Sequence, residues 1–170
     1  MTHAGIKIKY IVFTTMLLSA YGLLFYFLST NQLNTDFSSF YASAKAYDEH
    51  LNPYQELRTP YLPTQKTAPP NLNPPIFLQI TAPLCALDYN TAHIIWSVLL
   101  LIFGSIGALL CFAHTLERPL FKKNWPIYLG LYLSIYPTLM NTNFSQIGGF
   151  LLFFIMLGYS FFLKKQDGLA

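Results

Sequence analysis

The stretch Asn34-Thr-Asp36-Phe-Ser-Ser-Phe40-Tyr-Ala-Ser-Ala-Lys45-Ala-Tyr-Asp-Glu-His50-Leu-Asn-Pro-Tyr54 begins where a long apolar run ends, and it carries the first acidic residue of the chain. Read as a helix from Phe37, it puts Phe37, Phe40, Tyr41, Ala44, Tyr47 and Leu51 on one stripe. Ser38, Ser39, Lys45, Asp48 and Glu49 then turn away from that stripe. Beside a membrane span, such a helix is expected to lie flat in the headgroup layer, apolar face down, with Asp36 at its start on the membrane surface.

The membrane is read from where charge is missing. No charged residue falls between Lys9 and Asp36, between Asp88 and Glu117, or between Lys123 and Lys164. Charged residues make up 10% of the chain, against roughly 25% in soluble domains. Apolar residues make up 54% and aromatic residues 17%. An all-α integral membrane protein follows. Lys7, Lys9, Arg118, Lys122, Lys123, Lys164 and Lys165 flank the apolar runs and leave their side at a net +5, while the segment from about 31 to 90 carries a net −2. Basic flanks stay in the cytoplasm, so both termini are expected inside and the long loop outside. The basic residues thus set orientation and do not point to nucleic acid.

Taken in order, spans are expected at about 10–30, 91–113, 124–141 and 147–163, four in all, forming a single membrane domain with an outer loop at 31–90. The first span exceeds the apolar core of a signal peptide and has no small-x-small cleavage site after it, so it reads as an uncleaved anchor. The outer loop holds eight of the eleven prolines, which favours extended and turning backbone. Its Tyr54, Tyr61, Ile76, Phe77, Leu78 and Ile80 suggest a packed cap in place of a free linker. Trp96 reads as an interfacial anchor near the outer end of the second span. The charge-free run from 124 to 163 is too long for one span and breaks at Pro137 and at Asn141-Thr-Asn-Phe-Ser-Gln146. Cys85 and Cys111 fall on opposite sides of the membrane in this scheme, which argues against a disulfide. No metal-ligand spacing is visible.

Several motifs then line up. Asp36-Phe37-x-x-Phe40-Tyr41-x-Ser43-Ala44, Asn52-Pro53-Tyr54, Asn73-Pro74-Pro75, Pro83-Leu84, Trp96 and the polar turn ending Ser145-Gln146 occur in this order. The set resembles the family-87 glycosyltransferases, polytopic enzymes of the GT-C type that use a polyprenyl-phosphate sugar, typically mannose, on the outer face of the bacterial cytoplasmic membrane. The family usually has a glycine shortly before Asn-Pro-Tyr, where this chain has His50-Leu51, and a Gly-Gln pair where it has Ser145-Gln146. Gly148 stands where an asparagine is often found. The family pattern also continues into further spans beyond Ala170, so the chain is similar to the N-terminal part of such an enzyme, with a second chain as a possible source of the missing helices.

The resemblance implies an inverting displacement at the anomeric carbon, with the lipid phosphate leaving and a carboxylate removing the acceptor's proton. Asp36 matches the position of that general base; an Asp before a helix at Phe37 is equally a good N-cap, and the two roles are compatible. Tyr41, Lys45, Asn52, Tyr54, Arg58, Asn73 and Gln146 are the expected substrate-binding residues. A donor phosphate needs cationic or donor-rich contacts, for which Lys45, His50, Arg58, Lys66 and His93 are the outer-side candidates, each of which could instead solvate the loop. Gln146 could bond a sugar hydroxyl or satisfy a helix end. No cofactor is expected beyond the lipid-phosphate sugar itself. The rival function is a non-catalytic membrane scaffold or partner subunit. A transporter is disfavoured because no charge lies mid-span.

Overall fold

A computed structural model of the chain describes residues 3–30, 36–55, 57–58, 61–62, 67–68 and 70–164. Among the described residues seven helices carry the fold: α1 His3–Thr30, α2 Asp36–Asp48, α3 Pro75–Thr81, α4 Tyr89–Thr115, α5 Arg118–Ser134, α6 Tyr136–Asn143 and α7 Gly148–Leu163. A 3-10 turn, Ala82–Ala86, joins α3 to α4. Among the described residues of the proline-rich loop is a two-residue antiparallel pair, β1 Leu57–Arg58 with β2 Thr67–Ala68.

The axis of the molecule is α4. Asp88 caps it, its carboxylate accepting from the Thr91 amide at 3.1 Å. The residues Tyr89, Ala92, His93, Trp96, Ser97, Leu100, Gly104, Gly107 and Ala108 form its buried face at helical spacing. Among the described residues, α4 alone is long and apolar enough to cross a membrane by itself. The α6–α7 pair passes the same measure jointly, though bent by 118°.

The main helix contact joins α4 to α7, and small residues decide how close it is. A Cβ on Gly107 would fall 2.8 Å from the Phe153 amide nitrogen, and one on Gly149 would collide with the Leu100 carbonyl. Glycine at these points lets two backbones touch, as at small-residue crossings in membranes. At the far end His114 Nε2 bonds Ser160 Oγ at 2.8 Å. The first helix lies against α4 and α5, where the buried Tyr21 donates its hydroxyl to the Leu133 carbonyl at 2.8 Å.

Three expectations change. The helix expected over 124–141 starts earlier and is cut in two: α5 ends at Ser134 and α6 begins at Tyr136, with Ile135 extended between them (φ −74°, ψ 140°). Pro137 has no N–H, and its ring crowds the carbonyl four residues back, so it suits the first turn of a new helix, where it stands in α6. Second, α2 is not a flat helix with one apolar face. Phe37, Phe40, Tyr41 and Ala44 are buried as the stripe requires, but so are Ser38, Ser39 and Ser43, while Tyr47 (53%) and Leu51 (51%) are exposed. The cause is packing on several sides, because α3, the 3-10 turn, β2 and α4 all lie against α2. Third, Trp96 is 1% exposed: it is a core residue, stacked on Phe37 at 5.7 Å between ring centroids, and not an interfacial anchor.

The core therefore sits where the cap meets α4. Phe37, with no exposed surface, is ringed by Tyr41, Tyr89, His93 and Trp96 at 5.4 to 5.9 Å. Such aromatic pairs are each worth about 0.5–1.5 kcal/mol beyond their buried area. This cluster fixes the N-terminal end of α2 against α4, and with it the position of Asp36.

Candidate functional site

Asp36 is the first residue of α2, exposed, with its amide donating to the Phe144 carbonyl at 3.1 Å. One of the helix's unpaired N–H groups is thus satisfied by the turn between α6 and α7. That turn, residues 144–147, is fixed by Gln146 N–H donating to the Asn141 carbonyl at 3.0 Å and Ser145 N–H to the Thr142 carbonyl at 3.2 Å. Asn71 builds a second wall. Buried at 2% exposure, it accepts from both the amide and the side-chain nitrogen of Asn73 at 2.9 Å, an Asx turn that sets Asn73 just ahead of Pro74-Pro75.

These three segments line an open cavity of about 540 Å³ formed by Asp36, Ser39, Phe40, Asn73, Asn141 and Gln146, with Leu72, Ile147 and Gly148 among the remainder. Gly148 leaves room for the Asn141 side chain, whose oxygen would lie 2.6 Å from a Cβ at that position. The polar lining is one carboxylate, three amides and a hydroxyl, a donor and acceptor set suited to sugar hydroxyls. An apolar groove of about 660 Å³ lies alongside, lined by Phe77, Ile80, Trp96, Leu99, Phe103 and Phe150 among others. Asn73 and Ile147 line both.

Of the residues expected at the site, Asp36, Asn73 and Gln146 come together. The others do not join them. Tyr41 is 3% exposed and donates its hydroxyl to the Leu87 carbonyl at 2.7 Å, pinning α2 to the extended residue that follows the 3-10 turn; burial raises its pKa. Lys45 sits over the Tyr41 ring, 5.8 Å from its centroid. Asn52 and Tyr54 are exposed in the turn after α2, where the Asn52 side chain accepts from the Tyr54 amide at 3.0 Å. Arg58 lies in β1, its side chain outside the described ones, and Lys66 lies outside the described residues. His50 lies in the turn after α2, and His93 is buried at 2% exposure, so His93 does not face a phosphate in the loop. Ser39 and Asn141 were missed. Asn141 belongs to the polar tract that breaks the last apolar run, which was a usable signal; Ser39 fell on the face assigned to solvent. Among the described residues no group of three His, Cys, Asp or Glu could hold a metal.

A family model for glycosyltransferase family 87 matches residues 71–170, more than half of the chain. The chain belongs to glycosyltransferase family 87. The family-87 match takes in Asn73, Asn141 and Gln146, and Asp36 reaches them from outside the matched residues. No curated protein and no solved structure matches the chain.

Proposed function

We propose that this family-87 chain transfers a sugar, mannose in the first instance, from a polyprenyl-phosphate donor to an acceptor at the outer face of a membrane. It would sit in that membrane through α1, α4, α5 and α7. The observation that carries this reading is the adjacency of two spaces: a cavity with one carboxylate and three amides shares Asn73 and Ile147 with an apolar groove. A sugar attached to a long hydrocarbon has that same polarity profile. The membrane placement draws on the apolar side chains left exposed along the helices, among them Met16, Leu23, Ile102, Leu131, Ile155 and Phe162, which a bilayer would cover.

In the proposed reaction the acceptor hydroxyl attacks the anomeric carbon from the face opposite the phosphate. The carbon–oxygen bond to the phosphate breaks and its electron pair leaves with the polyprenyl phosphate. The hydroxyl proton passes to the Asp36 carboxylate, and the anomeric configuration inverts. Asn73, Asn141 and Gln146 would hold sugar hydroxyls and exclude misaligned poses.

The test is Asp36→Asn in vesicles supplied with radiolabelled polyprenyl-phosphate mannose. Loss of a general base lowers turnover by about 10²–10⁴-fold, and the exposed position of Asp36 leads us to expect unchanged insertion and thermal stability. Transfer at the wild-type rate would remove Asp36 from the reaction. No transfer by the wild-type chain would favour a non-catalytic scaffold or partner subunit.

A further inference from the structure

Ser145 stands in a conformation its side chain opposes. Its φ is 55° and it has no exposed surface. A residue with a Cβ is strained in the left-handed region, where glycine is not. Three consecutive inward positions of α4 hold it there. His93 Nε2 is hydrogen-bonded to Ser145 Oγ at 2.6 Å, Ser97 Oγ to the same oxygen at 3.1 Å, and Trp96 Nε1 donates to the Ser145 carbonyl at 3.1 Å. The His93 ring is in turn set by stacking on Phe37, 5.4 Å away and 9° from parallel. On either side of Ser145, the Phe144 carbonyl accepts the Asp36 amide, and Gln146 lines the cavity.

We infer that His93 is a positioning residue. With Trp96 and Ser97 it holds Ser145 left-handed, and so sets Gln146 and Asn141 in the same cavity as Asp36. The Phe37 ring links the two halves, since it packs on His93 and is the neighbour of Asp36 in the chain. The consequence for sugar binding rests on the function proposed above; the consequence for the turn does not, and the test reads the turn directly.

Hydrogen exchange of the full chain in lipid nanodiscs reports on the Phe144, Ser145 and Gln146 amides. His93→Leu keeps bulk and removes the hydrogen bond, so exchange of these amides should accelerate about tenfold, with the amides of residues 151–163 unchanged. Ser145→Gly added to His93→Leu should restore most of the protection, because glycine takes the conformation unaided. A generic packing defect at position 93 would not be repaired by glycine at 145. Unchanged exchange in His93→Leu, or no recovery in the double variant, overturns the inference. Should His93→Leu fail to accumulate, Ser97→Ala and its Ser145→Gly double carry the same test with the same two deciding outcomes. In transfer assays the expected signature is a raised KM for the donor in His93→Leu that Ser145→Gly reverses.

Discussion

Cys85 lies beneath α2 with its thiol donating weakly to the Tyr41 carbonyl at 3.7 Å and the Thr81 carbonyl at 3.8 Å. Burial pushes this thiol up to about 11 from an ordinary 9.0, with Lys45 opposing and Asp48 adding to the shift. A folded-state pKa above the unfolded value means a contribution to stability that is complete below pH 9 and lost as pH climbs through 11. Thermal unfolding midpoints should therefore fall between pH 9 and 11, and Cys85→Ala should lose the part of that fall beginning near pH 9; a Cys85→Ala curve parallel to wild type would contradict this. Tyr61, held by the Glu49 carboxylate and pushed up to about 12 chiefly by desolvation, titrates later. The same scale explains the divided fate of the aromatic stretch: Tyr41 spends its hydroxyl on a backbone carbonyl, so it holds α2 in place while Asp36 faces the cavity.

At the scale of elements, glycines do two different jobs. Gly107 sits where the α4 and α7 backbones touch, with Leu152 and Phe153 main-chain atoms at 2.8–2.9 Å from a Cβ built there. Backbone cannot swing aside, so Gly107→Ala must part the helices; we expect destabilisation of about 1–3 kcal/mol, read as a lowered unfolding midpoint. Gly148 faces only the end of the Asn141 side chain, which can rotate away. Gly148→Ala should leave the midpoint nearly unchanged and lower sugar transfer, by displacing Asn141 from the cavity. Equal midpoints for the two variants would refute the distinction. Element ends show a related logic. α2 closes in a Schellman motif, Leu51 N–H donating to the Ala46 carbonyl at 2.8 Å and His50 N–H to the Tyr47 carbonyl at 3.1 Å, with His50 left-handed at φ 60°.

For the whole molecule, α2, α3 and the α6–α7 turn gather at the N-terminal end of α4, while the basic α5 start follows the C-terminal end of α4. The proposed orientation puts the first group outside and the second in the cytoplasm. With Cys85 and Cys111 replaced by serine, a cysteine at Gln55 should react with an impermeant maleimide applied to intact cells, and one at Lys122 only after permeabilisation. The reverse pattern would invert the orientation and remove the cavity from the outer face.

Charge spacing and apolar run lengths located the long apolar runs around α1, α4 and α7 and the polar break after Pro137, because these depend on local composition; the start of α5 at Arg118, the break at Ile135 and the short helix α3 were not legible that way. The candidate site was legible in part: Asp36, Asn73 and Gln146 could be named, but their meeting could not, since it depends on contacts between segments distant in sequence. Periodicity says that a face is buried without saying against what, so Trp96 read as an anchor and Ser39 as solvated. The two places where this chain lacks the family's glycine became intelligible only in three dimensions. His50 and Ser145 are its two non-glycine residues with positive φ among those described. At Ser145 that conformation is maintained by side chains of α4 that lie about fifty residues away. The sequence by itself determined which long segments are apolar and where polar residues interrupt them. Only the tertiary structure decided which polar groups share a cavity, because long-range packing and hydrogen bonds overrule the local preference of a single residue.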